Sequence, residues 1–119
     1  MDKEIYAVRG AVFLERDEAA EVDAKVRLLL STLAERNGVE AGDVLSLFFS
    51  STSDIRSRYP ATAARESGWD VPIFSLREAE FEGSAPLAIR VLLEWRAPPG
   101  LCPRPAYLGG AEVLRPDLA

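Results

Sequence analysis

Four arginines, Arg9, Arg65, Arg90 and Arg115, interleaved with Tyr59 and Tyr107, are the residues of this chain best suited to chemistry. A guanidinium presents a planar fork of N–H donors that grips a carboxylate through two parallel hydrogen bonds, so such a set could clamp a small polycarboxylate. Two of the four stand on strand-like segments. In Ile5-Tyr6-Ala7-Val8-Arg9-Gly10-Ala11-Val12-Phe13, strand alternation puts Arg9 on one face with Ile5, Ala7, Ala11 and Phe13, all apolar. A cation there is costly unless an internal carboxylate or a bound anion meets it. In Ile89-Arg90-Val91-Leu92-Leu93-Glu94-Trp95, the odd-numbered residues form the apolar face, and Arg90 lies opposite with Leu92 and Glu94. Alone, that strand reads as half-solvated with Arg90 in water. Two strands each aiming an arginine toward a common place point instead to an anion site. As bare spacing the set is not diagnostic, because arginine is abundant: all 14 basic residues are Arg except Lys3 and Lys25.

What the chain lacks narrows the chemistry further. It contains 0 His, which removes the commonest general base, the commonest metal ligand and every Ser-His or Cys-His pairing. Ser50 and Ser51 therefore have no partner to make a nucleophile, and Cys102, in a Pro-rich stretch, reads as incidental. Gly83, Gly109 and Gly110 have none of the spacing of a phosphate loop or dinucleotide fingerprint. Glu78, Glu80 and Glu82 read, from spacing, as solvated charges on a surface connection. No metal and no cofactor is expected.

A length of 119 residues suits one domain spanning 1–119. A hydrophobic content of 48% against 28% charged residues is that of a folded globular chain. The net charge of −5 disfavours nucleic-acid and anionic-membrane partners, so an anion site would be a local exception. No apolar run approaches the roughly 18 residues of a membrane span. Met1-Asp2-Lys3-Glu4 lacks the basic-then-apolar layout of a signal peptide, and a single cysteine fits a reducing cytoplasm. Poverty in Asn, Gln, Cys and Met fits a thermophilic source or a GC-rich genome equally.

The elements that must position the arginines follow from periodicity. Ala19, Val22, Val26, Leu29, Leu30 and Leu33 recur at helical steps, predicting a long helix from about Glu18 to Asn37, stopped by Gly38. The apolar run Val44–Ser51 predicts a strand buried on both faces. Pro60 and Gly68 bracket a short helix. Trp69–Phe74 reads as a short strand, confined to an edge by Pro72. An acidic connection, Leu76–Ser84, leads to the Arg90 strand, and the prolines at 98–105 make a stiff loop. Tyr107 begins a last strand, broken at Gly109-Gly110 and resumed through Ala111–Leu114, and the polar end after it is expected to be mobile. One long helix cannot cover both faces of four or five strands, so association of subunits is expected to bury the remainder.

At these residues the chain resembles the AroH-class chorismate mutases. The resemblance is carried by Arg9-Gly10-Ala11 with Glu15-Arg16-Asp17, Pro60-Ala61, Arg65-Glu66, Gly68-Trp69, Ile89-Arg90-Val91, Tyr107-Leu108, and Leu114-Arg115-Pro116-Asp117-Leu118, in order and spacing along essentially the whole chain. It implies an α+β fold, a mixed β-sheet covered by one long and one short helix, of the bacillus-chorismate-mutase-like type (chorismate mutase II). Three copies would form a pseudo-α/β-barrel homotrimer with active sites between subunits. It also implies conversion of chorismate to prephenate, on the way to phenylalanine and tyrosine, by an intramolecular rearrangement that needs no proton transfer, nucleophile or cofactor. That accounts for a chain without His.

By the same resemblance Arg90 hydrogen-bonds the ether oxygen, where negative charge develops, and Arg9 and Tyr107 bind the carboxylate of the enolpyruvyl side chain. Glu78 accepts from the ring hydroxyl. Tyr59, Ala61, Ile73 and Phe74 line the pocket, while Arg65, Leu114 and Arg115 lie toward the ring carboxylate and the mouth. Ser75 stands where the family often has a cysteine, and Thr62 where a lysine is common. A rival reading is a non-catalytic trimeric binding protein of the YjgF type, with one arginine in an intersubunit cleft; a third makes Arg9 and Arg90 structural ion pairs.

Overall fold

The computed structural model describes residues 2–117. Strands β1 (Glu4–Phe13), β2 (Val44–Ser51), β3 (Ile73–Arg77), β4 (Ala88–Ala97) and β5 (Ala106–Leu108) form one mixed sheet in the order β3-β2-β4-β1-β5. β4 runs antiparallel to both β1 and β2, whereas the two edge strands lie parallel to their neighbours. Helices α1 (Ala19–Asn37) and α2 (Pro60–Glu66) cover one face, giving the α+β architecture expected of the sequence.

The covered face follows from period-2 alternation. Val8 and Val12 of β1, Leu47 and Phe49 of β2, and Ile89, Val91, Leu93 and Trp95 of β4 meet the apolar stripe of α1, where Val22, Val26, Leu29, Leu30 and Leu33 are fully buried. Gly10 lets α1 approach: a Cβ there would lie 2.9 Å from Leu33 Cδ1 and 3.0 Å from Leu29 Cδ1. The helix ends where Gly38 takes a left-handed conformation (φ 60°). Leu28, off the stripe, is exposed.

Three expectations are corrected. β2 is buried on one face only; Phe48 and Ser50 face the other side half-exposed, because no helix covers it. The strand placed at Trp69–Phe74 instead begins at Ile73 and runs to Arg77, taking Leu76 and Arg77 out of the acidic connection. Pro72 has no N–H to pair; its carbonyl accepts from the Leu47 N–H, and the ladder starts one residue later, on an edge strand as its proline requires. Ala111–Leu114 is a 3-10 turn, not a resumed strand, because Gly109 and Gly110, both at positive φ (60° and 94°), turn the chain out of the ladder. Of the segment expected to be mobile, Leu118 lies outside the described residues.

Candidate active site

The uncovered face carries the arginines, in rows fixed by strand register. Leu76, Ser50, Arg90, Ala11 and Tyr107 are successive partners across β3, β2, β4, β1 and β5. The next row is Phe74, Phe48, Leu92 and Arg9, with the Phe48 and Phe74 rings stacked 5.9 Å apart. Side chains of paired residues leave a sheet on the same side, so both arginines rise over small Ala11 and half-buried Leu92. The result is a trough of about 320 Å³ lined by Arg9, Phe48, Ser50, Leu76, Arg90, Tyr107 and Arg115. A wider hollow of about 690 Å³ adjoins it over Glu78, Phe81 and Leu114, sharing Ser50, Leu76 and Arg90.

The charges within it are organised around Glu78. Its backbone N–H donates to Ser51 O at 3.0 Å, which brings its side chain, only 11% exposed, back over β2 and β4. Arg90 Nε donates to Glu78 Oε1 at 2.9 Å, and Ser50 Oγ donates to the same oxygen at 2.9 Å. Among the described residues, Oε2 of Glu78 and the terminal nitrogens of Arg90 have no hydrogen-bond partner. Arg9 likewise forms no ion pair among them. The structural-ion-pair reading required carboxylates on both arginines, and only Arg90 has one. Arg115 grips Asp117 with Nε and Nη2 at 3.1 and 2.8 Å. That fork raises the Arg115 pKa and, with Arg9 nearby, holds the Asp117 carboxyl below its usual value.

The remaining site residues of the sequence reading lie elsewhere. Tyr59 and Ser75 line a separate hollow of about 420 Å³ with Arg56, Arg58 and Arg77; only Leu76 borders both this hollow and the trough. Ala61 and Thr62 are buried and half-buried on α2, Arg65 projects from it exposed, and Ile73 packs toward the covered core. Within one chain, then, Arg9, Glu78, Arg90, Tyr107 and Arg115, with Leu114 and Phe74 close by, are gathered, while Tyr59, Ala61, Thr62, Arg65, Ile73 and Ser75 stand apart across the edge strand.

The second group is nonetheless firmly placed. Asp17 accepts from the N–H groups of Arg56 and Ser57 and from Ser57 Oγ, pinning the segment before Tyr59 to the start of α1. Those bonds, the Ser57 hydroxyl foremost, hold the Asp17 carboxyl below its usual pKa against the opposing effect of desolvation. Arg58 bridges Asp23 of α1 and Glu66 of α2, which raises its pKa and makes it a brace.

Two residues were absent from the sequence expectation. Ser50 carries a signal in hindsight: a hydroxyl inside an apolar strand needs a partner. Arg77 borders both the Tyr59 hollow and the Glu78 hollow without an ion pair among the described residues, and its spacing alone carried no signal.

The chain matches the family described as chorismate mutase type I over residues 5–118; the designation is type I rather than II. It is 38% identical over 117 residues to the chorismate mutase AroH of Thermus thermophilus, covering 96% of each chain. It is 36% identical over 118 residues to that of Bacillus subtilis, covering 97% of this chain and 93% of the relative. Its fold superposes on a chorismate mutase structure from Clostridium thermocellum with a TM-score of 0.80 at 33% identity, over 91% of this chain and 98% of that one. In sequence along nearly its whole length and in fold, this chain belongs to the type I chorismate mutase family.

Proposed function

We propose that the trough on the uncovered face is where this chorismate mutase rearranges chorismate to prephenate, with Arg90 as the donor to the breaking ether oxygen. The observation that carries this is the division of labour around Arg90: its Nε is held by Glu78, while its terminal nitrogens, without a partner among the described residues, border a trough with Arg9 and Tyr107. Holding a flexible dianion in its compact reactive conformer supplies part of the rate, since alignment converts a rare geometry into a resident one. Preorganised N–H donors where the ether oxygen gains charge supply more, because they require no reorganisation as the C–O bond breaks. Arg9 and Tyr107 hold the enolpyruvyl carboxylate. Glu78 Oε2 accepts from the ring hydroxyl, and Arg115 exchanges Asp117 for substrate carboxylate. Three arginines, Arg9, Arg90 and Arg115, sharing one trough with Tyr107 favour this role over that of a single-arginine carboxylate binder.

The complete site needs a second copy. Exposed Ile5 (67%), Phe74 (64%) and Leu76 (55%) lie on the same face as the trough, so burying them against another chain covers the arginines too. The edge group, led by exposed Tyr59, Arg65 and Ser75 with Ala61, Thr62 and Ile73 packed behind them, then meets the trough of a neighbour, closing a homotrimer of single-domain chains. Exposed, unpaired Cys102 suits a reducing cytoplasm, where the product feeds phenylalanine and tyrosine synthesis.

Loss of chorismate ultraviolet absorbance, followed for the wild type beside Arg90→Ala, tests the assignment. Removing one preorganised donor costs about 10²–10³ in kcat, and a charged donor at least that. A folded Arg90→Ala protein with wild-type turnover would place the chemistry elsewhere.

A further inference from the structure

We propose that Ser50 is a positioning residue of the rearrangement, holding Glu78 so that one oxygen anchors Arg90 and the other is left to the substrate; this rests on the active-site reading above. Both oxygens of a carboxylate can be taken up by an arginine's fork, and its terminal torsion is broad, so Glu78 alone does not ensure that one oxygen meets Arg90 while the other stays free. Ser50 Oγ and Arg90 Nε both donate to Oε1 at 2.9 Å, and the two residues are direct partners across β2 and β4. A carboxylate that accepts both bonds on one oxygen is fixed in rotation, with Oε2 turned away from that pair. The guanidinium plane is fixed in turn, because Nε is the nitrogen engaged. Glu78 enters from the segment after β3 with its N–H on Ser51 O, so backbone and side chain are both tied to the same end of β2. Ser50 is the only polar residue between Ser46 and Ser51, and its hydroxyl makes no other hydrogen bond among the described residues.

Its hydroxyl touches no reacting atom, so its removal acts on alignment. Ser50→Ala, Ser50→Thr, Arg90→Ala, Glu78→Ala and the Ser50→Ala/Glu78→Ala pair are compared by steady-state turnover of chorismate and by thermal melting. Misplacement of a catalytic group by about 1 Å costs on the order of 10²-fold, so Ser50→Ala lowers kcat by about 10- to 100-fold, with KM and melting temperature nearly unchanged. Ser50→Thr, which keeps the hydroxyl on a strand-favouring side chain, recovers most of the turnover. In the Glu78→Ala background Ser50→Ala adds little, because the two act as one unit. Wild-type kcat in Ser50→Ala while Arg90→Ala is inactive overturns the proposal and leaves the site standing, as does a loss confined to KM or a fully additive double variant. Wild-type turnover in Arg90→Ala overturns the site and the proposal together.

Discussion

On the helix-covered face of the sheet, alternate residues of β1, β2 and β4 are closed against α1 and α2 and need nothing beyond the chain itself. On the other face the same strands present Arg9, Phe48, Ser50 and Arg90 beside exposed Ile5, Phe74 and Leu76. Two-residue alternation thus lets one strand serve both purposes, with stability drawn from one side and cations held on the other. The comparison also locates the incompleteness. A chain that buries five fully enclosed apolar residues of one helix leaves three large apolar side chains in water on the opposite side. Within one chain the uncovered face leaves that apolar surface unburied, and the arginines lie within it.

The sharpest way to break that contrast is Ile5→Asp, at the end of the uncovered face away from the trough. A charge buried against a partner without its own counter-ion strongly disfavours association. The expected outcome is a folded monomer by light scattering that has lost nearly all turnover, since each trough lacks its neighbour's edge group. A fully active monomer would mean that one chain holds the whole site.

Leu33→Ala probes the opposite face. Leu33 is fully buried, so its truncation leaves a cavity and costs about 2–5 kcal/mol in denaturant unfolding. Turnover per folded molecule should stay within about twofold of wild type, because Leu33 does not border the trough. A smaller loss comes from Gly10→Ala. The new methyl meets Leu29, Leu33 and, at 3.2 Å, the Ala106 carbonyl, so overpacking costs about 1–3 kcal/mol. Since Gly10 sits between Arg9 and Ala11, a shift of β1 would also raise KM; a stability loss with unchanged KM would show that α1, not the strand, gives way.

The covered face was legible from the sequence because its signals are local. The α1 stripe and the β4 alternation name their own buried residues, and Pro60 and Gly38 mark their boundaries. β2 was misread because a continuous apolar run looks alike whether its second face meets a helix or a neighbouring chain. β3 was displaced by three to four residues because the ladder is set by where Pro72 permits pairing, not by apolar content alone. Arg9 is marked by the sequence as a cation on an apolar strand face, and Arg90 as one opposite the apolar face of its strand. Their convergence with Tyr107 depends on the register Arg90–Ala11–Tyr107, which joins residues far apart in sequence. The Ser50–Glu78 bond is hidden for the same reason: spacing alone reads Glu78 as a solvated charge, only the family resemblance places it in the site, and its tie to β2 is a matter of the fold.

The smallest predicted effect concerns Asp17, which fixes the segment carrying Tyr59. Its folded pKa is depressed, chiefly by the Ser57 hydroxyl, so its contribution is fully present above the unfolded value of about 3.9 and is lost as pH falls through the lower folded value. Asp17→Asn keeps the shape and one acceptor but removes the charge. At neutral pH the variant should be less stable by about 1 kcal/mol, a modest figure because the site is partly solvated. As pH falls from about 3.9 through the lower folded value, the contribution of the wild-type carboxylate fades and the two denaturation midpoints should converge. A gap that persists unchanged at low pH would show that the amide fits the turn poorly, and that the carboxylate charge contributes nothing to holding Tyr59 at the edge of the sheet.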